Sequence, residues 1–489
     1  MTTVRPPEAV AEAPRPMSRA RYLYLVAAVT WPAQVMAVVG TMSGNAQAAV
    51  AQHFRTTHIA WFTVTLFIVT LAITPFAMRL GQIYGKRKVM LVLIAVGLVG
   101  DVIAALSPSY GIMLLGRSLA GFYGPVAALV FASVRDLFPK ERISGAYTVI
   151  GAAMGVATLL SPLVAGLLMD HHGWRSVLWT MAGVTVVSFV CVALIPETPT
   201  HGLLAGLDWA GGVLLGAGMA ALAIGFGMGG EWGWSSVSVL GCLIGGGVLF
   251  ALFVVVELRT ARPIFDVRIL GRRSVSTVLT GPALIVGTSN IAPTVLTFLA
   301  LFPAIPQVSA SLGWSLTHLA LVGIPAALAW VAAGLLTGRV LRTVPPRPVW
   351  IAGSVTLTAG LVLCALYHRT ATEIVLTGIV VAVGTGVIQG TSNAMIVSVV
   401  GSEDQAPANG LSGMLGAVIA ILGLQLLFIV MSNESRVVNG VAFYQDTAFT
   451  HGYYLLAAMA ALGVLVSALM PRVARPADAL AGEPEGSRP

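Results

Sequence analysis

Two ionisable residues sit where water should be scarce. Asp101 lies in the apolar run 89–107 and Arg117 in the run 110–134. An uncompensated charge inside a bilayer costs at least about 2.5–3.5 kcal/mol on insertion scales, so such residues are functional candidates by default. The chain reverses direction between them, and at 1.5 Å per residue both fall roughly 10 Å below the same membrane face. An ion pair would reduce the desolvation cost of both, and protonation of Asp101 would free Arg117 to re-orient. The chemistry on offer is carriage of a proton. A static structural pair, or an aspartate bonded to local backbone, fits the same residues.

Uncharged polar residues form a second group. The run 22–50 carries Ser43, Asn45 and Gln47; the run 275–303 carries Thr288, Ser289 and Asn290; the run 373–399 carries Gln389, Ser392 and Asn393. Beside Trp31, Phe122, Tyr123 and Phe298, such amides suit a largely apolar ligand whose pose is fixed by a few hydrogen bonds. An anionic group could dock on Arg117. Each amide could equally be an interhelical hydrogen bond that holds a bundle together.

Other chemistries lack their residues. The eight histidines are scattered, and His171 and His172 have no metal-ligand partner at recognised spacing. Cys191, Cys242 and Cys364 all fall in apolar runs, as small buried hydrophobes do. There is no phosphate loop of the G-x-x-x-x-G-K-[ST] kind. No metal, no cofactor and no enzymatic activity are expected, and energy for any work must come from a gradient.

The elements that must position these residues follow from composition. With 57% apolar residues, 9% charged residues, a mean hydropathy of +0.89 and 54 glycines in 489 residues, the chain is a polytopic membrane protein. A hydrocarbon core needs roughly 20 apolar residues per helix, and about 14 runs of that length recur between Tyr22 and Met470. The first run is longer than a secretory h-region, so no cleavable signal peptide is expected. The expected division is a tail at 1–21, a six-helix bundle at 22–200, two extra helices and a basic linker at 201–273, a second six-helix bundle at 274–470, and a tail at 471–489.

Most of the 27 Lys and Arg residues fall in alternate connections. Arg79, Lys86, Arg87 and Lys88 cluster after the second run, Arg339, Arg342 and Arg347 after the tenth, and Arg259, Arg262, Arg268, Arg272 and Arg273 before the ninth. The opposite connections keep only Arg55, Arg175, Arg369 and Arg436. Cations are retained on the cytoplasmic side of short loops, so both termini should be cytoplasmic. The net charge of +8 is thus a topology signal, and a nucleic-acid partner is not expected. The stretch "EWGWSS", Glu231 to Ser236, reads as an outer interface anchor.

An internal echo supports duplication. "MRLGQIYGKRKVM" aligns with "GRVLRTVPPRPVW" at Arg79/Arg339, Leu80/Val340, Arg87/Arg347 and Val89/Val349. Two bundles of about six helices, each with a basic turn after its second helix, are a repeat architecture of secondary transporters. If the repeat holds, the first and fourth helices of each bundle line a central cavity, and the polar residues above gather there.

"RLGQIYGKRKVML" resembles the first signature loop of the major facilitator superfamily, matching at Leu80, Gly85, Lys86, Arg87 and Leu91. "LLGRSLAGFYGP" resembles the fourth-helix motif, with Arg117 and Gly121, and "LLSPLVAGLL" the fifth-helix antiporter motif, with Ser161, Pro162, Ala165 and Gly166. "HGWRSVLW", "LDWAGGVLLGAG" and "VVVELRTARPIFDVRIL" are similar to the middle of the 14-helix drug:proton antiporter branch. The resemblance runs from about residue 30 to 470. It implies an all-α major facilitator fold with two additional helices between the bundles. It also implies a conformational latch in the loop of Gln82, Gly85 and Arg87, and a tight, bendable seam along Gly145, Gly151, Gly155, Ser161, Pro162 and Gly166.

Two departures matter. The acidic position of the signature loop is Gln82, so the latch should be weaker than usual or completed by Glu403 and Asp404. Related antiporters carry a carboxylate in the first helix, whereas no acid occurs from Tyr22 to Phe54. The expectation is a monomeric, multi-pass exporter of amphipathic small molecules in the plasma (inner) membrane. It would exchange drug or metabolite for protons by alternating access, with the substrate, protons and the lipid bilayer as its partners. The alternatives are a proton-independent facilitator of a small organic or lipid-like solute and a non-transporting membrane receptor.

Overall fold

The computed structural model describes residues 18–198, 200, 209–260, 267–268, 273–305, 308–397, 405–438 and 441–469. Helices dominate because nearly every described segment is apolar, and in lipid each backbone polar group must be satisfied within its own segment. The first half comprises α1 (Arg19–Phe54), α2 (Trp61–Tyr84), α3 (Lys86–Leu106), α4 (Tyr110–Ala120), α5 (Val126–Leu137), α6 (Lys140–His172) and α7 (Trp174–Leu194). The fourth apolar run is therefore one rod interrupted by a 3-10 turn, Gly121–Tyr123, between α4 and α5. Next come α8 (Trp209–Trp232) and α9 (Val237–Arg259). The second half comprises α10 (Arg273–Leu301), α11 (Leu316–Val340), α12 (Pro346–Leu366), α13 (Ala371–Val397), α14 (Gln405–Ser432) and α15 (Asp446–Ala468). Among the described residues, 12 helices are long and apolar enough to cross a membrane, and the bent pair Trp61–Thr74 and Phe76–Tyr84 makes a thirteenth.

Local chemistry sets the ends of these rods. The turns from α2 to α3 and from α6 to α7 are each one glycine long, Gly85 at φ +96° and Gly173 at φ +77°. A side chain is strained in that region, and at Gly85 a Cβ would also meet the Glu197 carboxylate. Ser18, Ser109, Ser236 and Ser315 each accept a backbone N–H as N-caps.

The two halves repeat one packing scheme. In the first, α1 packs on α6 and α7, and α3 packs on α4 and α7; in the second, α10 packs on α14 and α15, and α12 on α13 and α15. Glycines make the matching seams close. A Cβ on Gly100 would stand 2.6 Å from the Gly116 carbonyl oxygen, and one on Gly384 would stand 2.9 Å from that of Gly353. The aligned arginines also play the same part: Arg87 Nη2 donates to the Ala193 carbonyl near the C-terminus of α7 at 2.6 Å, and Arg347 Nη2 to that of Ala468 in α15 at 2.8 Å.

Among the described residues, the halves meet where α1 packs on α10 and along two further seams. One is α6 against α11. The other is α2 against α14, where α8 packs on both and Gln425 Nε2 donates to the Ala223 carbonyl at 3.1 Å. The outer member of the inserted pair, α9, packs on α8 and leaves Val237, Leu240, Ile244, Val248 and Leu252 exposed, as a lipid-facing helix does. Opposite the end that carries the basic turns, the antiparallel strands β1 (Ser435–Val438) and β2 (Val441–Tyr444) fold over α10 and α15.

Candidate functional site

Asp101 and Arg117 lie within the first half, each 1% exposed. The tight α3–α4 crossing puts them there, since each follows directly on a seam glycine, Gly100 or Gly116. The expected direct ion pair is not formed. Asp101 accepts instead from Tyr123 Oη at 3.2 Å and from Thr185 Oγ1 on α7 at 2.8 Å. Arg117 donates through Nη2 to Ser43 Oγ on α1 at 2.7 Å and through Nε to the Phe62 carbonyl at 3.4 Å, and its guanidinium lies 4.8 Å from the centre of the Phe62 ring. Its Nη1 is buried and has no hydrogen-bond partner. The physical reason is Tyr123. Its ring packs on Gly97, one turn before Asp101, and its hydroxyl lies within the fields of both charges. Two charges and a phenol thus share one water-poor compartment, where a proton moved onto Asp101 would change the field that Arg117 feels.

A separate cavity of about 370 Å³ lies between the halves. Phe67 enters it from α2, Ala283, Val286 and Asn290 from α10, Gln389 and Ser392 from α13, and Ser412, Gly413, Gly416, Ala417 and Ala420 from α14. Counted along their helices from the basic ends, most of these residues stand at depths of about 10–25 Å, around the bilayer midplane. Asn290 and Gln389 are exposed although each lies in the middle of a packed bundle.

The other ligand candidates lie elsewhere. Trp31 donates to the Val184 carbonyl of α7 at 3.3 Å, and Gln47 hydrogen-bonds to Thr63 of α2. Asn45 keeps a buried Nδ2 without a partner, and Phe122 is half-buried against the core. Tyr123 belongs to the Asp101 compartment, and Phe298 to an aromatic cluster with Phe302, Phe428 and Tyr444. The side chain of Asn393 lies outside the described residues. Arg117 is turned toward Ser43 and Phe62 and does not line the cavity.

The basic turn is held within its own half. Gln82 accepts from Arg79 Nη1 at 2.9 Å, one helical turn away. The acids that meet the turn are Glu197, which accepts from the Arg87 backbone N–H at 3.1 Å, and Asp136, which pairs with Lys86. Glu403 and Asp404 lie outside the described residues. At the far end, Gly166 lets α6 approach the first turn of α11, where a Cβ would stand 2.7 Å from the Thr317 backbone nitrogen. Asp170 accepts there from the backbone N–H groups of Leu316 and Thr317 at 3.3 and 3.1 Å, while Ser315 accepts that of His318 at 3.1 Å. Three of the four N–H groups that a helix start leaves open are thereby satisfied, two of them from the other half. Within the fifth-helix motif, Ser161 returns its hydroxyl to the Ala157 carbonyl at 2.6 Å, and Pro162 lies inside the helix.

Sequence reasoning missed Ser43 and Thr185 as partners, Asp170 as a contact between the halves, and α14 as a cavity wall. The signal for α14 was its glycines: Gly413 and Gly416 have open space where a Cβ would stand.

The family model of the Major Facilitator Superfamily matches residues 24–208. In Bacillus subtilis (strain 168) the chain is 23% identical over 432 residues to the uncharacterized MFS-type transporter YcnB, covering 86% of this chain and 88% of that protein. It is 25% identical over 300 residues to the uncharacterized MFS-type transporter YhcA of the same strain, and 24% over 232 residues to its Multidrug resistance protein 3. The matches cover 61% and 47% of this chain, and span about half the length of those two relatives, 54% and 44%. Among solved structures, the nucleoside transporter NupG superposes with a TM-score of 0.62 at 15% identity, over 92% of this chain and 98% of that one. A bacterial homolog of the human lysosomal transporter Spinster, inward-facing and unoccupied, gives 0.60 at 13% identity, over 93% and 98%.

Proposed function

We propose that the chain is a major facilitator superfamily transporter, as its similarity to that family's model and to MFS-type transporters supports, and that it is a secondary active exporter of amphipathic small molecules, drug or metabolite, which it exchanges for protons by alternating access. The observation that carries this reading is the midplane cavity shared by Phe67 of one half and α10, α13 and α14 of the other. A site built from both halves changes its exposure whenever the halves rock, which is what alternating access requires. The cation asymmetry supports a reading in which the basic end faces the cytoplasm of a plasma (inner) membrane. The Asp170–α11 contact then closes the outer end, and an exporter loads from such a state.

Proton coupling is assigned to the Asp101 compartment, with Arg117 as the residue that responds. Purified protein in liposomes should accumulate or release substrate when a pH gradient is imposed. Asp101→Asn should abolish that driven flux while sparing substrate exchange at equal pH. Full pH dependence in Asp101→Asn would remove the residue from the coupling step.

A specific observation favours a second reading, a facilitator that uses no protons. Asp101 is satisfied by two neutral hydroxyl donors inside its own half, and the first helix carries no acid. Flux that follows only the substrate gradient, at every imposed pH difference, would establish it.

A further inference from the structure

We propose that the cavity selects uncharged, flat solutes that carry both an N–H donor and a C=O acceptor on the ring system, as acridone and cyclic amides do. The inference rests on the transporter reading and deepens it by naming a substrate class. Its first support is the pairing capacity on the wall. Asn290 and Gln389 each offer one acceptor oxygen and two donor hydrogens, Ser392 and Ser412 one hydroxyl each, and none of the four is hydrogen-bonded to a described residue. Polar groups inside a packed bundle normally find partners there. Four unpaired ones facing one space require donors and acceptors from the occupant or from water.

The second support is charge. No Asp, Glu, Lys, Arg or His occurs among the described residues that line the cavity. The buried ions of the first half point elsewhere, Arg117 to Ser43 and Phe62 and Asp101 to Tyr123 and Thr185. A charged solute would give up hydration here without a counter-charge, whereas an uncharged one would exchange water for amides.

The third support is shape. The α14 wall is made of Gly413, Gly416, Ala417 and Ala420, and the two glycines have nothing within 4 Å of a Cβ position. That gives a smooth surface with free space before it, and Phe67 reaches into the same space from the other half. At about 370 Å³ the cavity lies near the small end of ligand sites, which run from about 300 to 1,000 Å³. A site that hydrogen-bonds its ligand rejects an analogue lacking the group, because its own polar atoms are then buried unpaired.

The test uses purified full-length protein and four tricyclic probes read by fluorescence titration: acridone, N-methylacridone, the cation proflavine and the anion acridine-9-carboxylate. Acridone should bind at least tenfold more tightly than either ion and than N-methylacridone, which lacks the donor. Gln389→Leu and Asn290→Leu should each weaken acridone about tenfold and erase its preference over N-methylacridone. If a variant does not fold, Ser412→Trp, which fills the space from the wall, should abolish acridone binding. Proflavine or acridine-9-carboxylate binding as tightly as acridone, or acridone binding unchanged by all three substitutions, overturns the proposal. Flux in proteoliposomes separates the two levels: acridone bound as described without flux overturns the transporter reading alone. Flux of an ion that none of the substitutions alters overturns the substrate class alone.

Discussion

Asp170 on α6 accepts the backbone N–H of Thr317 at 3.1 Å, so a side chain of one half caps a helix of the other. A carboxylate at a helix N-terminus is worth about 0.3–1 kcal/mol when exposed, and Asp170 is exposed. Asp170→Asn should therefore raise the outward-open population about two- to fivefold. Double electron–electron resonance between labels on the outer ends of α6 and α11 reads the change, and an unaltered distance distribution would show that the cap does not bias the cycle.

Ser43 holds one arm of Arg117, whose Nη1 already lacks a partner. Ser43→Ala leaves a second buried donor group unpaired and should cost about 1–3 kcal/mol. Ser43→Thr, which keeps the hydroxyl, should recover most of the loss. Thermal unfolding of the three proteins in detergent measures both effects, and equal stability of Ser43→Ala would mean that water replaces the hydroxyl.

Gly100 and Gly44 make a matched pair for testing the seam. A methyl group on Gly100 meets the backbone of α4, whereas one on Gly44 meets nothing within 4 Å. Gly100→Ala should destabilise by about 1–3 kcal/mol through overpacking, and Gly44→Ala should stay within about 0.5 kcal/mol of the parent. Because Asp101 is the next residue, Gly100→Ala should also diminish pH-driven flux; unchanged melting and flux would mean that the seam has slack.

Arg87 and Arg347 repeat one contact in two bundles, each donating to the end of the last helix of its half. Arg87→Met and Arg347→Met should each cost about 0.3–1 kcal/mol. The double variant should lose the sum within about 0.5 kcal/mol, since the residues share no partner. A larger loss would reveal coupling between the bundles.

Composition made the helices legible, and the Arg87/Arg347 echo made the repeat legible, because burial in lipid and a retained cation both leave marks on residue type. Partnership was harder to read. Depth placed Asp101 and Arg117 together, but Tyr123 and Thr185 take up the carboxylate through side-chain directions that 1.5 Å of rise per residue does not encode. Asn290 and Gln389 were found as cavity amides by their place in the repeat. Trp31 and Phe298 were not separable from them, since an aromatic residue that faces lipid, core or ligand looks alike along the chain. The α14 wall was hidden for a related reason: glycine facing empty space and glycine pressed on a neighbour are the same letter.

The stack of Phe298 on Phe302, edged by Phe428 and Tyr444 and continued by Phe449, ties α10, α14, β2 and α15 together at one end. No single strut of that assembly can fray alone, because lifting any one ring exposes the faces of its neighbours. Opening there is a joint event, so its backbone amides should trade hydrogen for deuterium late and in unison.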